Sequence, residues 1–488
     1  MVSLASSAAR GSAITLAFQA IRLAVMFGSL FVLARLVAPE SFGLMAMVTA
    51  IVGVAEIFRD FGLSMAALQA KNLTRAQKSN LWWINCGIGL LLTAIVFALA
   101  HPIAAFYGEP SLVPIVQVIS TTFLLGGAST QFRVQINRSL RFVALSITDV
   151  VPYLLSAVIA IVLAITTGSI WALVAQQVGT AVFGLILAVA LARWWPGLPR
   201  RADMSSLLRF GVSLAATQVI AYATRHVDSI AIGRVWGADV LGAYDRAYQL
   251  MVLPVNQINT PLSRVAVPVL ARLSGEKARL LAYVRQAQLV ALYVTATIFT
   301  LLIALGPQIV LLLLGPDWAA AGALVSLLAI GGVFRALVQV CFWIYMSQGY
   351  AAQQLRYSLI AQPLLILVML TGLPWGAEGV ALMYSVGFGL YWAVSLMWVG
   401  RVAQLDVSVM FIDVARAVLL FSAPGAVLAF VVAASTTSLP SHLPLLLGLG
   451  AAGVWYALVW ATVPRVRRDI DTLRNFALKA IGRGGKGK

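Results

Sequence analysis

The sequence has few charged residues and very few cysteines and histidines. Charged residues make up only 10% of the 488 residues, with two cysteines and three histidines. A soluble globular chain is typically about a quarter charged, so a soluble domain is not expected. Cys86 and Cys341 both fall inside predicted helices, which argues against a structural disulfide. The sequence contains no metal-spaced cluster, P-loop or nucleophile elbow. We therefore expect no catalytic site, metal or cofactor, and predict that the protein is not an enzyme.

Apolar residues dominate what is present. They form 61% of the chain, and the mean hydropathy is +0.94. Because a helix needs about 20 apolar residues to cross a bilayer, the sequence predicts an all-α polytopic membrane protein with about fourteen transmembrane helices. Their predicted ranges are 11–34, 41–68, 81–100, 113–136, 143–166, 170–192, 207–232, 240–268, 287–314, 322–346, 358–374, 379–400, 414–434 and 444–463.

The basic residues outnumber the acidic ones by 34 to 16. They recur in alternate loops, which is the pattern of cytoplasmic loops in a plasma membrane protein rather than of a nucleic-acid-binding one. This orientation places both termini in the cytoplasm and favours contact with anionic lipids of the inner leaflet. The basic tail 465–488 has one apolar face, so we expect a helix lying on that leaflet, or disorder beyond Gly482.

The second half of the chain repeats the first. A shift of 199 residues gives seven identities over positions 10 to 43, among them Arg35 with Arg234 and Gly43 with Gly242. Since the shift spans six helices, the two copies have the same orientation, as in parallel transporter repeats. We predict two pseudo-symmetric six-helix lobes at 1–200 and 201–405, followed by helices 13 and 14 at 406–464.

Ionisable and amide side chains lie inside the predicted helices of both halves. Charge within a bilayer is costly and normally faces a cavity or a partner. Guanidinium groups suit phosphate or carboxylate, so an anionic headgroup is the expected ligand. The cavity candidates are Gln19, Arg22, Arg59, Gln218, Arg225 and Arg335, and the carboxylates that could couple an ion are Glu56, Asp60, Asp149 and Asp228.

Other roles stay open for several of these residues. Glu56, Arg59 and Asp60 share one helix face and could instead form an internal ion pair that joins two helices. Arg225 with Asp228, and Asp245 with Arg246, lie near the outer helix ends, where an interfacial salt bridge is the simpler interpretation.

Specific motifs then point to a family. The run LARLVAPESFGLMAM, the following FRDFGLSMAALQ and the segment from Thr74 to Asn85 resemble the N-terminal signature of Wzx-like polysaccharide exporters. These belong to the multidrug/oligosaccharidyl-lipid/polysaccharide exporter superfamily. The resemblance implies a MATE-like fold, a central cationic cavity, and alternating-access flipping of undecaprenyl-diphosphate-linked oligosaccharide units for exopolysaccharide, capsule or O-antigen synthesis. It also implies cooperation with a polysaccharide polymerase and export machinery.

Three alternative functions fit the sequence less well. Lipid II flippases of the superfamily usually carry further arginines in the first helix, where this chain has Arg22 alone. Multidrug or ion antiporters typically rely on intramembrane carboxylates, whereas this interior is mixed in charge. A membrane polysaccharide polymerase needs a sizeable outer loop, and the outer loops predicted here are short.

Overall fold

The computed structural model describes residues 4–60, 62–70, 73–436, 438–440 and 442–471. Side chains are described for these residues except 4–16, 206, 209–221, 223–224, 261 and 264–265. Within this part of the chain, eleven helical stretches are long and apolar enough to cross a membrane. The predicted all-α, multi-pass membrane class is confirmed. The exact number of fourteen spans stays a prediction, and most of the predicted amphipathic tail, 472–488, lies outside the described residues.

The chain separates into two compact units, Met1–Gly242 and Ala243–Lys488. The first contains α1 (Leu4–Leu36), α2 (Pro39–Asp60), α3 (Leu63–Gln69), α4 (Arg75–Ala98), α5 (Ala100–Tyr107), α6 (Leu112–Arg138), α7 (Phe142–Thr167), α8 (Trp171–Ala192) and the beginning of α9 (Ser205–Arg272). Gly237, at φ 82°, interrupts the helical backbone of α9, in agreement with the two helices predicted there.

The second unit continues from α9 through seven further helices. They are α10 (Lys277–Leu313), α11 (Ala319–Ser347), α12 (Ala351–Thr371), α13 (Gly376–Ala403), α14 (Ser408–Arg416), α15 (Ala423–Ser435) and α16 (His442–Thr462). Short 3-10 turns precede α11 and α13, and a π-helical segment, Ala417–Ser422, joins α14 to α15.

The helix predicted at 41–68 is divided in the structure. α2 ends at Asp60, and α3 begins at Leu63 after Gly62, whose φ of 64° lies in the left-handed region. A residue with a Cβ rarely adopts this conformation, so glycine allows the chain to turn there. The hydropathy pattern missed this break because both pieces are apolar.

Side chains near the N-terminus of α4 form hydrogen bonds with residues 193–204, the connector that leads to the second predicted lobe. Thr74 and Gln77 form a capping box: the Gln77 backbone N–H donates to Thr74 Oγ1 at 3.2 Å, and the Thr74 N–H donates to Gln77 Oε1 at 3.0 Å. Side chains that follow the cap then bind the backbone of residues 193–204, which has no regular secondary structure. These bonds are Asn80 Nδ2 to Arg200 O (2.6 Å), Arg200 N to Asn80 Oδ1 (3.0 Å), Gly197 N to Ser79 Oγ (2.9 Å), Trp83 Nε1 to Gly197 O (3.0 Å) and Gln77 Nε2 to Asp203 O (3.0 Å).

Two glycines that the repeat matches make reciprocal contacts within the first unit. A Cβ on Gly43 would lie 1.8 Å from the Ala238 carbonyl oxygen, and a Cβ on Gly242 would lie 2.2 Å from that of Pro39. The 199-residue shift pairs 39 with 238 and 43 with 242, so the two contacts are equivalent. Only glycine permits this backbone approach. The reciprocity agrees with a two-fold repeat, while the lobe boundaries stay predictions.

A charged network ties α10, α14 and the segment after α16 together in the second unit. The Asp413 side chain, 1% exposed, pairs with Arg285 through both carboxylate oxygens and with Arg416 at 3.2 Å. Arg416 also contacts Asp469 at 2.7 Å, and the Tyr293 hydroxyl donates to Asp469 at 2.9 Å. Buried charge is tolerated when it is paired in this way.

Candidate functional site

A polar cavity of about 620 Å³ lies in the first unit. Its lining residues come from α1, α2, α3, α6, α7 and α8. Six charged side chains contribute, namely Arg22, Glu56, Arg59, Asp60, Arg133 and Asp149. Hydroxyl and amide groups surround them, namely Ser64, Thr122, Ser129, Thr130, Asn137, Thr148, Gln177 and Thr180. Such polarity among apolar helices is the expected signature of a site that receives a polar ligand.

The last turn of α2 supplies three of the charges. Arg59 Nε lies 2.9 Å from Glu56 Oε2, and the side chains are 26% and 44% exposed. The contact has the distance of an ion pair, but the Nε–H does not form a hydrogen bond. Asp60 accepts a short hydrogen bond from the Ser64 hydroxyl at the beginning of α3. The i, i+3 and i, i+4 spacings that grouped these residues in the sequence therefore also bring them to one cavity.

α6 and α7 supply a second ion pair. Arg133 pairs with Asp149, and its other terminal nitrogen donates to the Thr148 carbonyl oxygen at 3.1 Å. Sequence reasoning identified Asp149 but did not single out Arg133. The signal that could have found it was its position inside the predicted helix 113–136.

Arg22 differs from the other two arginines of the cavity. It lies on α1, is exposed, and lines the cavity. Among the described residues, it forms neither an ion pair nor a hydrogen bond, whereas Arg59 and Arg133 each contact a carboxylate. Within the described part of the lining, three arginines thus face three carboxylates, and Arg22 is the guanidinium left available to a ligand.

Other sequence-predicted residues with described side chains are not part of the lining of this cavity. Gln19 is exposed on α1, and the Gln218 side chain lies outside the described residues. Arg225 is exposed, while Asp228 is buried and accepts a hydrogen bond from the Ser229 N–H at 2.8 Å. The predicted pairing of Asp245 with Arg246 is present, at 2.7 Å.

Arg335 occupies a different environment, in the second unit. Its Nη1 donates to the hydroxyl oxygens of Tyr248 and Tyr384, both at 2.7 Å. The rings of Tyr248 and Phe388 lie 5.6 and 5.5 Å from its Cζ, within the range of cation–π attraction. No carboxylate of the described residues forms an ion pair with it. Aromatic rings and hydroxyls therefore support this cation in place of an acid.

Known proteins resemble the chain in sequence. Residues 32–323 match the model of the family described as "Polysaccharide biosynthesis protein". The chain is 25% identical over 358 residues to the lipopolysaccharide biosynthesis protein WzxC of Escherichia coli K12, covering 72% of each. It is 26% identical over 409 residues to the teichuronic acid biosynthesis protein TuaB of Bacillus subtilis 168, covering 82% of this chain and 84% of TuaB.

Solved structures share the fold. The lipid II flippase MurJ in an inward closed conformation matches with a TM-score of 0.68 at 12% identity, over 91% of this chain and 99% of MurJ. A MATE transporter crystallised with MaL6 matches with a TM-score of 0.52 at 13% identity, over 80% of this chain and 96% of that one. At these identities the likeness shows the fold alone, which confirms the predicted MATE-like class. The chain is therefore a multi-pass membrane protein of MATE-like fold that belongs to the family described as "Polysaccharide biosynthesis protein", with Wzx-like relatives.

Proposed function

We propose that the protein is a flippase that moves undecaprenyl-diphosphate-linked oligosaccharide units across the plasma membrane by alternating access. The product would serve exopolysaccharide, capsule or O-antigen synthesis, in cooperation with a polymerase and export machinery. Family membership supports this proposal. So do the names of its relatives, which are a lipopolysaccharide biosynthesis protein, a teichuronic acid biosynthesis protein and the succinoglycan biosynthesis transport protein ExoT of Rhizobium meliloti.

The observation that carries the proposal is the available guanidinium of Arg22 in a polar cavity. A guanidinium presents a planar fork of donors that matches phosphate oxygens, and hydrogen bonds to charged groups are the strong ones. The surrounding hydroxyl and amide groups offer further donors to a diphosphate or to the first sugar. An anionic lipid headgroup is thus the ligand that this lining suits best.

The position of the charged residues along their helices indicates the side from which a ligand enters. Glu56 and Asp60 lie at the end of α2, Arg133 near the end of α6, and Asp149 near the beginning of α7. The distribution of basic loops assigns these helix ends to the cytoplasm. The cavity therefore suits a headgroup that arrives from the inner leaflet, where anionic lipids also favour the basic loops.

The carboxylates of the cavity are proposed to couple an ion to transport. Of the four candidates, Glu56 and Asp149 contact arginines, and Asp228 lies outside the cavity lining. Asp60 lines the cavity and bonds a neutral hydroxyl. We therefore favour Asp60 for ion coupling. Arg335, in the second unit, is proposed separately as a residue that contacts an anionic group.

The test is leaflet-resolved measurement of undecaprenyl-diphosphate oligosaccharide in cells that lack the gene. Wild-type protein should restore surface polymer and clear the intermediate from the inner leaflet. Arg22→Ala should fail to do so, and it should weaken binding of undecaprenyl diphosphate to the purified protein about tenfold or more, since hydrogen bonds to charged groups contribute about 1.5–3 kcal/mol.

The matched control is Arg279→Ala, which removes an arginine that is 75% exposed and lies outside the cavity. It should transport and bind like wild type. Full rescue by Arg22→Ala would show that Arg22 does not bind the ligand. Intact polymer and unchanged intermediates in the deletion strain would refute the flippase proposal itself.

A further inference from the structure

Gly126 on α6 lies directly behind the guanidinium of Arg59. A Cβ built on Gly126 would lie 1.6 Å from Arg59 Nη1 and 2.6 Å from Cζ. Non-bonded heavy atoms do not approach a real Cβ so closely, because the repulsion is prohibitive at that distance. The guanidinium therefore occupies the space that any side chain at position 126 would need.

The backbone at Gly126 is itself held in place. Its carbonyl oxygen accepts hydrogen bonds from Ser129 Oγ at 2.9 Å and Thr130 Oγ1 at 2.8 Å, and both residues line the cavity. Glu56, on the same helix as Arg59, contacts Arg59 Nε at 2.9 Å. Arg59 thus contacts both a carboxylate on its own helix and a glycine on α6.

We propose that Gly126 is a positioning residue that seats Arg59 against α6, so that Arg59 acts with Arg22 as a second point of phosphate capture. The inference rests on the proposed function and adds to it a selectivity for diphosphate over monophosphate headgroups. A cavity with two usable guanidinium groups binds two phosphates better than one, because each guanidinium can form a charge-assisted fork. The wild-type protein should therefore prefer undecaprenyl diphosphate to undecaprenyl monophosphate.

A methyl group at position 126 would displace the Arg59 guanidinium from its place against α6 and so remove this second contact. Gly126→Ala should lower the ratio of diphosphate to monophosphate affinity at least fivefold while leaving monophosphate affinity within twofold of wild type. The matched control is Gly87→Ala on α4, because Gly87 does not line the cavity and its added Cβ would meet nothing within 4 Å. Its affinity ratio should be that of wild type.

A double-mutant cycle separates positioning from loss of folding. Lysine at position 59 lacks Nη1 and Cζ, the two atoms that would lie nearest the added Cβ, so Gly126→Ala should change the affinity ratio much less in an Arg59→Lys background than in wild type. Additive effects of the two substitutions would overturn the inference. So would a folded Gly126→Ala protein, shown by an unchanged thermal unfolding curve, that keeps the wild-type ratio.

Failure of this inference is distinct from failure of the proposed function. If wild type prefers the diphosphate, Arg22→Ala loses that preference and Gly126→Ala keeps it, then only the role of Gly126 is refuted. If wild type binds neither lipid, the proposed function fails first.

Discussion

Replacing Asp413 by Asn removes the charge that two arginines of the second unit share. The Asp413 side chain is 1% exposed and contacts both Arg285 and Arg416. Breaking a buried pair by removing one partner typically costs about 3–5 kcal/mol, because a charge is left uncompensated. Here Arg285 is 39% exposed and can reach water, and Arg416 keeps Asp469 at 2.7 Å. We therefore expect a loss at the lower end, about 3 kcal/mol of unfolding free energy.

The assay is equilibrium unfolding of the purified protein in mixed detergent, with Glu276→Gln as the matched control. Glu276 pairs with Arg279 at 2.8 Å near the beginning of α10, the helix that also carries Arg285, but these side chains are 53% and 75% exposed. An exposed pair contributes about 0.2–1 kcal/mol, so the control should lose less than about 1 kcal/mol. Equal losses in the two variants would refute the argument that burial makes the Asp413 network stabilising.

Two further substitutions test the first unit. Asn80→Ala removes both hydrogen bonds to Arg200, so trypsin should cleave at Arg200 severalfold faster as the connector opens locally. Asn80→Asp keeps the acceptor and should give an intermediate cleavage rate. An unchanged rate in Asn80→Ala would show that other contacts hold the connector. Gly43→Ala places a Cβ 1.8 Å from the Ala238 oxygen and should cost about 1–3 kcal/mol in thermal unfolding. Gly28→Ala, whose Cβ meets nothing within 4 Å, should not destabilise the protein.

Local patterns predicted much of the first unit. Hydropathy located most helices, and i, i+3 and i, i+4 spacing grouped Glu56, Arg59 and Asp60 on one face. The cost of intramembrane charge singled out Arg22 and Asp149. All of these arguments use neighbours along the chain or the composition of one helix, and all of these residues line the cavity.

Contacts between distant residues were not predictable in the same way. Arg335 depends on Tyr248 and Tyr384, which are 87 and 49 residues away. The bonds from Asn80 to the connector join residues 120 apart. Hydropathy periodicity carries no information on which helices are neighbours, so such partners emerge only from packing. For the same reason, the proximity of Gly126 to Arg59 had no sequence signal.

The mixture of charges in the cavity suits release as well as capture. A flippase must let its ligand go on the far side, and three arginines without counter-charges would hold a diphosphate strongly in a site of low dielectric. Carboxylates beside Arg59 and Arg133 compete with the ligand for those guanidinium groups. Under the proposed function, Arg22 would make the first contact and the paired arginines would contribute only when a phosphate displaces or shares their carboxylates. Competition from the carboxylates then offsets part of the binding energy of the diphosphate, which favours release of the ligand over tight binding.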